Sequence, residues 1–155
     1  MTVYTSAGTT LGLSASAPAS YNQAGYEALT FTDVGEISDL GEIPARVYEL
    51  VTWQPISERG MRKSKGGYQI GSQTITVGID PDDAGQTMID TATAADTVYS
   101  VKIYHPSLGT IYARALVMGG PKNYGDVNSI ATRQITLEYT IVDQTTDGIV
   151  FVAAA

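Results

Sequence analysis

The stretch from Ala45 to Ile79 constrains most strongly what this chain can fold into. It consists of two extended segments, residues 45–56 and 68–79, on either side of residues 57–67. Val, Ile, Thr, Tyr and Trp recur in both segments, and these residue types favour the pleated, half-buried surface of a sheet. The stretch therefore predicts a long extended hairpin of two strands, whose tip reaches beyond the core that one small domain supplies.

The predicted hairpin loop, residues 57–67, concentrates positive charge. Arg59, Arg62, Lys63 and Lys65 stand against one acid, Glu58, although the whole chain has a formal charge of −7. A net negative chain argues against a general phosphate-binding surface. We expect this loop to be mobile in an isolated chain, and to contact either solvent or an acidic surface on another subunit.

Length and composition indicate a single domain spanning residues 1–155. A chain of 155 residues buries a core without covalent staples, and the absence of cysteine excludes disulfides and thiolate metal sites. The N-terminus does not resemble a signal peptide, and no apolar run approaches the roughly 18 residues of a membrane span. We therefore expect no membrane association.

The first half of the chain carries few strong signals outside the hairpin. Residues 1–20 are small and polar and predict a flexible N-terminal segment, with a possible strand over 10–17. Asn22 is placed to cap a short helical turn that ends near Leu29. Glu36, Asp39 and Glu42 belong to an acidic run without a base, which predicts either a solvated face or a contact surface for a basic partner.

One longer helix is predicted over residues 81–94, directly after the hairpin. Asp80 suits the N-cap and Pro81 the first helical position, where a missing N–H costs nothing. A narrow apolar stripe at spacings of three and four is expected to face a sheet. Its members are Ala84, Met88, Thr91, Ala92 and Ala95.

The remaining chain predicts strands. Residues 97–105 and 110–118 form an antiparallel pair around a turn at 106–109, and a final strand covers 149–153. Residues 129–143 alternate, with Ala131, Ile135, Leu137, Tyr139 and Ile141 on one face. The sum is a mainly β fold, a β-sandwich or partial barrel with one flanking α-helix.

The sequence does not suggest catalysis. His105 is the only histidine, so neither a Cys–His pair nor a histidine metal site can form within one chain. Asp80, Asp82 and Gly85 resemble part of a calcium loop, but Thr91 stands where an EF-hand needs Glu. No phosphate-binding glycine motif is present. We expect no enzyme activity, no cofactor and no metal.

Several motifs, in their order along the chain, resemble the tail tube proteins of long-tailed, non-contractile bacteriophages, the siphovirus type. The resemblance rests on residues 24–31, 34–37 and 40–41, then on the long hairpin, the helix after Asp80 and Pro81, and residues 132–135. It covers nearly the whole chain. An additional C-terminal immunoglobulin-like domain, which some relatives carry, is absent from these 155 residues.

This resemblance implies a structural virion protein of the tail, made in the host bacterial cytoplasm. Such subunits form six-membered rings that stack into a hollow tube, through which double-stranded DNA passes into the host cell. The implied partners are further copies of the chain, a tape-measure protein, a tail terminator and a baseplate or tip initiator.

Two sets of residues follow as candidates. The basic loop residues Arg59, Arg62, Lys63 and Lys65 are expected to meet Glu36, Asp39 and Glu42 of an adjacent subunit. A polar row with few charges suits a wall along which DNA slides, because fixed cations would hold the phosphates. The lumen candidates are Thr132, Gln134, Thr136, Glu138 and Thr140, with Ser72, Thr74 and Thr76 on the hairpin.

Other functions remain open at this point. The row on residues 132–140 is equally consistent with the ordinary solvent face of a sandwich. A tube subunit of a contractile tail or of a type VI secretion system resembles the same fold. A different class, a monomeric β-sandwich module that binds carbohydrate or protein, would group its aromatic residues on one exposed face.

Overall fold

Alternating burial along two long strands organises the fold. In the computed structural model, which describes residues 2–154, buried and exposed side chains alternate along both Ser72–Gly78 and Thr132–Tyr139. The strands are β1 Thr10–Ser14, β2 Thr32–Asp33, β3 Ile37–Asp39, β4 Val47–Trp53, β5 Arg62–Gln69, β6 Ser72–Gly78, β7 Tyr99–His105, β8 Gly109–Gly119, β9 Lys122–Asn123, β10 Thr132–Tyr139 and β11 Val150–Val152. The helices are α1 Gln23–Glu27 and α2 Ala84–Ala94.

Nine of these strands form one antiparallel sheet. Its order is β2-β1-β7-β8-β10-β6-β3, with β11 paired to β8 and β9 paired to β10. The sheet curls into a half-barrel around a core that includes Leu11, Ile75, Val101, Ile135 and Leu137. The predicted mainly β fold, a partial barrel with one flanking helix, is confirmed.

The N-terminal segment is more structured than its composition suggests. Within the predicted flexible segment 1–20, β1 pairs with β7 across five residues, and Leu11 and Leu13 are fully buried in the core. Burial of these two leucines stabilises the strand, although the residues that flank it are small and polar. The possible strand over residues 10–17 is therefore present at residues 10–14, and Met1 lies outside the described residues.

The helix α2 begins at Ala84, three residues later than predicted. Asp83, not Asp80, is its N-cap, and the Asp83 carboxylate accepts hydrogen bonds from Gln86 N at 2.9 Å and Gly35 N at 3.1 Å. Asp80 instead closes its own turn by accepting from Asp82 N at 3.0 Å. The contact with Gly35 spans 48 residues of sequence, so the fold adds a distant partner to the local cap that Asp83 makes with Gln86.

The buried face of α2 also differs from the predicted stripe. Ile89 and Ala92 face the core, together with Gln86, whose Nε2 donates to Gly78 O at 2.8 Å. Ala84 and Thr91, which the stripe included, are exposed.

The hairpin prediction requires the largest correction. Residues 62–69, most of which were predicted to lie in a loop, form β5, and β5 pairs with β4 as a separate two-stranded sheet. Strand β5 ends at Gln69, and after Ile70 and Gly71 the strand β6 lies in the main sheet between β10 and β3. The loop of the hairpin is therefore residues 54–61 rather than 57–67.

Later elements follow the sequence closely. The antiparallel pair β7 and β8 has the predicted turn, with Gly109 at a φ of +103°, a conformation that favours glycine. On β10, Ile135, Leu137 and Tyr139 are buried as predicted. Ala131 and Ile141 lie outside the strand, and Ile141 is exposed.

The short helix α1 covers one part of the sheet's outer face. Asn22 caps it as predicted, by accepting from Gly25 N at 2.8 Å. Tyr26 stacks on Tyr112 of β8 with ring centroids 5.2 Å apart, and its hydroxyl donates to Gly148 O at 2.6 Å. The outer face of β6 and β10 lies beyond this cover. No helix among residues 2–154 is long and apolar enough to cross a membrane.

Candidate assembly surfaces

The predicted lumen residues lie side by side on one face of β6 and β10. The antiparallel register places Gln134 opposite Thr76, Thr136 opposite Thr74, and Glu138 opposite Ser72. Residues directly opposite in an antiparallel pair share a face. We call this surface the outer polar face; it consists of Ser72, Thr74, Thr76, Thr132, Gln134, Thr136 and Glu138.

The outer polar face carries one charge. Glu138 is its only ionisable member. Of the other six side chains, five carry a hydroxyl and one carries an amide. Arg133 lies in the same strand but points to the opposite side, where it is buried and pairs with Asp90 of α2 at 2.8 Å. Thr140, the eighth lumen candidate, lies beyond the end of β10, where its backbone N donates to Arg114 O at 3.1 Å.

Two apolar side chains on β8 extend the outer polar face, and sequence reasoning missed them. Leu116 lies opposite Glu138, and Met118 follows two residues later on the same side with 60% of its surface exposed. The sequence could have indicated them, because alternation along the predicted strand 110–118 places these two residues on the face opposite to buried Ala115 and Val117.

The β4–β5 hairpin presents apolar side chains to solvent on both of its faces. Leu50 and Trp53 are 65% and 67% exposed, and every residue of β4 is exposed. Tyr48, Leu50 and Lys65 share one face, where the Lys65 ammonium lies 4.9 Å from the centroid of the Tyr48 ring. Apolar side chains this exposed are typical of a surface that associates with another chain.

Basic residues are interleaved with these apolar ones. Lys63 and Lys65 lie on β5, Arg59 lies in the loop, and Arg62 forms a salt bridge with Glu58 of the same hairpin. Residues 46–69 hold five bases and two acids, so the rest of the chain holds fourteen acids and four bases. The molecule is therefore strongly polarised, with a basic hairpin on an acidic body.

One ion pair ties the base of the hairpin to the body. Arg46 Nε lies 2.7 Å from the Asp147 carboxylate in the turn before β11, and Arg46 Nη1 donates to the Tyr48 hydroxyl at 3.3 Å. This hydrogen bond, followed by the charge of Asp147, raises the pKa of Arg46. The pair orients the hairpin where it leaves the sheet.

The predicted acidic contact residues lie around the edge strand β3. Glu36 has a φ of +60° in the turn before β3, Asp39 ends the strand, and Glu42 lies in the connection to β4. All three side chains are exposed. Within residues 2–154, none of the three forms a salt bridge with the hairpin, so their charges are free for contacts with another molecule.

An apolar cavity of about 280 Å³ adjoins this acidic segment. Its walls come from the N-terminal residues, the connection between β3 and β4, the β7–β8 turn and β11. Tyr4, Leu40, Ile43, Leu108 and Phe151 are among the lining residues. Sequence reasoning missed this cavity because its walls are brought together from four separate parts of the chain.

Comparisons with known proteins identify the fold. No family model matches the chain, and no curated protein matches it in sequence. Among solved structures, a chain in the six-fold-symmetrised cryo-EM structure of the anti-feeding prophage baseplate is similar, with a TM-score of 0.68 and 14% identity. That similarity covers 99% of this chain and 97% of the other.

A second solved structure is also similar in fold. A chain in the virion of a native gene transfer agent particle has a TM-score of 0.60 and 12% identity, and the match covers 79% of this chain and 89% of that one. Similarity at these identities establishes a shared fold.

Proposed function

We propose that this chain is a structural subunit of a phage-type particle, which assembles into stacked six-membered rings that form a hollow tail tube. Double-stranded DNA passes through that tube into the host cell. The observation that carries the proposal is the β4–β5 hairpin, whose apolar side chains and positive charge are exposed on an otherwise acidic body. Of the two similar structures described above, one is a six-fold-symmetrised prophage baseplate and the other is the virion of a gene transfer agent particle.

The proposed tube is of the non-contractile, siphovirus type. A tube subunit of a contractile tail or of a type VI secretion system is the second candidate, and the similarity to a chain of the anti-feeding prophage baseplate favours it. In either case the role is structural and not enzymatic, and the place of action is the tail of a virion or virion-like particle. A tape-measure protein, a terminator and an initiator complex are the proposed partners.

Hairpin contacts would join one subunit to the next. Arg59, Lys63 and Lys65 would meet Glu36, Asp39 and Glu42 of the adjacent copy, while Arg62 would first have to leave Glu58. An exposed ion pair contributes only about 0.2–1 kcal/mol, so charges would set orientation and association rate. Burial of exposed apolar residues such as Leu50 and Trp53 would supply most of the affinity.

The outer polar face would line the lumen. Each lysine or arginine that neutralises a phosphate releases counterions and strengthens binding, so a sliding surface requires few of them. The outer polar face has hydroxyl and amide side chains and one carboxylate, which repels DNA weakly. Leu116 and Met118 would extend this non-adhesive surface.

Charge reversal of the hairpin tests the proposal. We expect the variant with Glu at positions 59, 62, 63 and 65 to remain folded by circular dichroism but to form no tubes in electron microscopy of concentrated protein. A matched control is Lys122→Glu, which changes an exposed base on β9 and should leave tube growth intact.

A complementary variant makes the test specific. Chains with Lys at positions 36, 39 and 42 should co-assemble with the charge-reversed chains and restore tubes, because the proposed ion pairs re-form with opposite polarity. Tubes of normal length from the charge-reversed variant alone would refute the proposed contact.

A further inference from the structure

His105 is buried at the end of β7, and both nitrogens of its ring have hydrogen-bond partners. Its Nδ1 accepts from the backbone N–H groups of Ser107 and Leu108, each at 3.0 Å. Its Nε2 lies 2.8 Å from the carbonyl oxygen of Thr5. A carbonyl oxygen only accepts, so the neutral imidazole with its proton on Nε2 satisfies all three contacts.

The contact with Thr5 ties down the N-terminal segment, residues 2–9. These residues precede β1, and Thr5 contacts His105 at the start of the β7–β8 turn. The Tyr4 ring packs near the imidazole, with centroids 6.5 Å apart, and Gly8 packs beside Pro106, where an added Cβ would lie 3.3 Å from the proline ring. His105 thus links a segment outside the sheet to a turn of the sheet.

We propose that neutral His105 holds residues 2–9 against the β7–β8 turn and that protonation of its ring releases them. We call this arrangement a pH-sensitive latch. A proton on Nδ1 replaces an acceptor with a donor that faces two backbone N–H groups. All three groups would then be donors around one point, and the turn can relieve this conflict only if the ring moves. Movement of the ring also separates Nε2 from Thr5, so acid releases the segment.

Among residues 2–154, the surroundings of His105 provide little compensation for a positive charge. Tyr4 is the titratable group that faces the ring from the N-terminal segment, and the turn contributes Ser107 and Leu108. Asp39, at the end of β3, and Glu42, in the connection to β4, are exposed and do not line the adjacent cavity. Lys102, on the same strand, lies near the rings of Phe31 and Tyr104.

Release of the segment would also change the apolar cavity, because Tyr4, Ser6 and Thr9 form one of its walls. Acidification would open that wall and expose the side chains behind it, such as Ile103 and Ile111. The latch acts within one subunit, so it does not depend on the proposed tube.

Hydrogen exchange read by mass spectrometry tests the latch. Protection in peptides that cover residues 2–9 and 106–110 is compared at about pH 7.5 and about pH 5, where a histidine changes its protonation, after correction for the intrinsic pH dependence of exchange. We expect the protection of the Ser107 and Leu108 amides to fall at least about tenfold at the lower pH, because two hydrogen bonds are lost together. Peptides from β6 and β10 serve as the internal reference and should not change.

The matched variant is His105→Asn. Its side-chain carbonyl can accept from the same two N–H groups, but its amide is too short to reach Thr5, and it does not titrate. We expect the 2–9 peptide of this variant to exchange rapidly at both pH values, with no pH dependence at the turn. The same pH dependence in His105→Asn as in the natural chain would overturn the proposal.

A second measurement does not depend on any variant. Because the chain has one histidine, nitrogen NMR of the natural protein reports a single imidazole. We expect the Nε2–H tautomer at neutral pH, and loosening of residues 2–9 in step with protonation of the ring. The Nδ1–H tautomer at neutral pH, or a protonated ring with the segment still protected, would refute the latch.

Discussion

The buried pair of Gln73 and Tyr139 allows a quantitative test of the architecture. The Tyr139 hydroxyl donates to Gln73 Oε1 at 2.6 Å, and Gln73 Nε2 donates to Leu40 O at 2.8 Å. Gln73 is 1% exposed and Tyr139 is 7% exposed, so water cannot easily replace a lost partner. The pair joins β10 to β6 and to the connection that leads to the hairpin.

Tyr139→Phe removes the donor and leaves Gln73 Oε1 unpaired. A buried acceptor without a partner costs about 1–3 kcal/mol. For a chain of this length each kcal/mol corresponds to roughly 2–4 °C, so the melting temperature should fall by about 2–12 °C. Urea unfolding should show a lower midpoint with an unchanged m value.

Two further variants complete this test. Tyr104→Phe, on the exposed side of β7, should change stability by less than about 0.5 kcal/mol. The double variant Gln73→Leu/Tyr139→Phe should cost less than the sum of the two single changes, because each single change leaves the other member of the pair unpaired, whereas the double change removes both. A free energy of unfolding for Tyr139→Phe within about 0.5 kcal/mol of the natural chain would refute the reasoning.

Three further predictions follow from the structure. Burial raises the pKa of Tyr26 to about 12, whereas a tyrosine in the unfolded chain ionises near pH 10. Because the unfolded chain loses this proton first, the free energy of unfolding should decline between about pH 10 and 12 by at most about 1.4 kcal/mol per pH unit, and the decline should be smaller in Tyr26→Phe. Gly35→Ala would place a Cβ 2.7 Å from the Asp83 carboxylate that caps α2 and should cost about 0.5–2 kcal/mol in urea unfolding, whereas Gly60→Ala, in open space, should cost almost nothing. Trp53→Ser, on the exposed hairpin, should leave the unfolding free energy within about 0.5 kcal/mol while it weakens self-association measured by sedimentation; a large loss of stability would mean that the hairpin packs on the body.

Strand periodicity was readable where a partner strand follows closely in the chain, as β8 follows β7, or where buried apolar residues alternate over several positions, as Ile135, Leu137 and Tyr139 do. The β7–β8 pair and the alternation along β10 were predicted for this reason. The same alternation placed the lumen candidates on one face, and the register of β6 and β10 brings them together.

Periodicity failed where the decisive partner is distant. A possible strand over residues 10–17 was predicted, but its pairing with β7, about ninety residues later in the chain, was not. Arg133 occupies a position that alternation reserves for apolar residues, and Asp90 of α2 is the partner that permits its burial. Neither relationship is visible within a window of local sequence.

By itself, the sequence determined the mainly β class, the outward polar row on β10, the cap of α1 and the concentration of positive charge between residues 57 and 67. These properties follow from local periodicity, turn chemistry and composition. Only the tertiary structure decided that the Asp83 carboxylate also holds Gly35, that β5 pairs with β4, and that β6 belongs to the main sheet. Backbone hydrogen bonds between strands are the same for every residue type, so the choice among possible partners depends on which arrangement buries apolar side chains such as Ile75 and Val77. That choice leaves the side chains of β4 and most of those of β5 exposed.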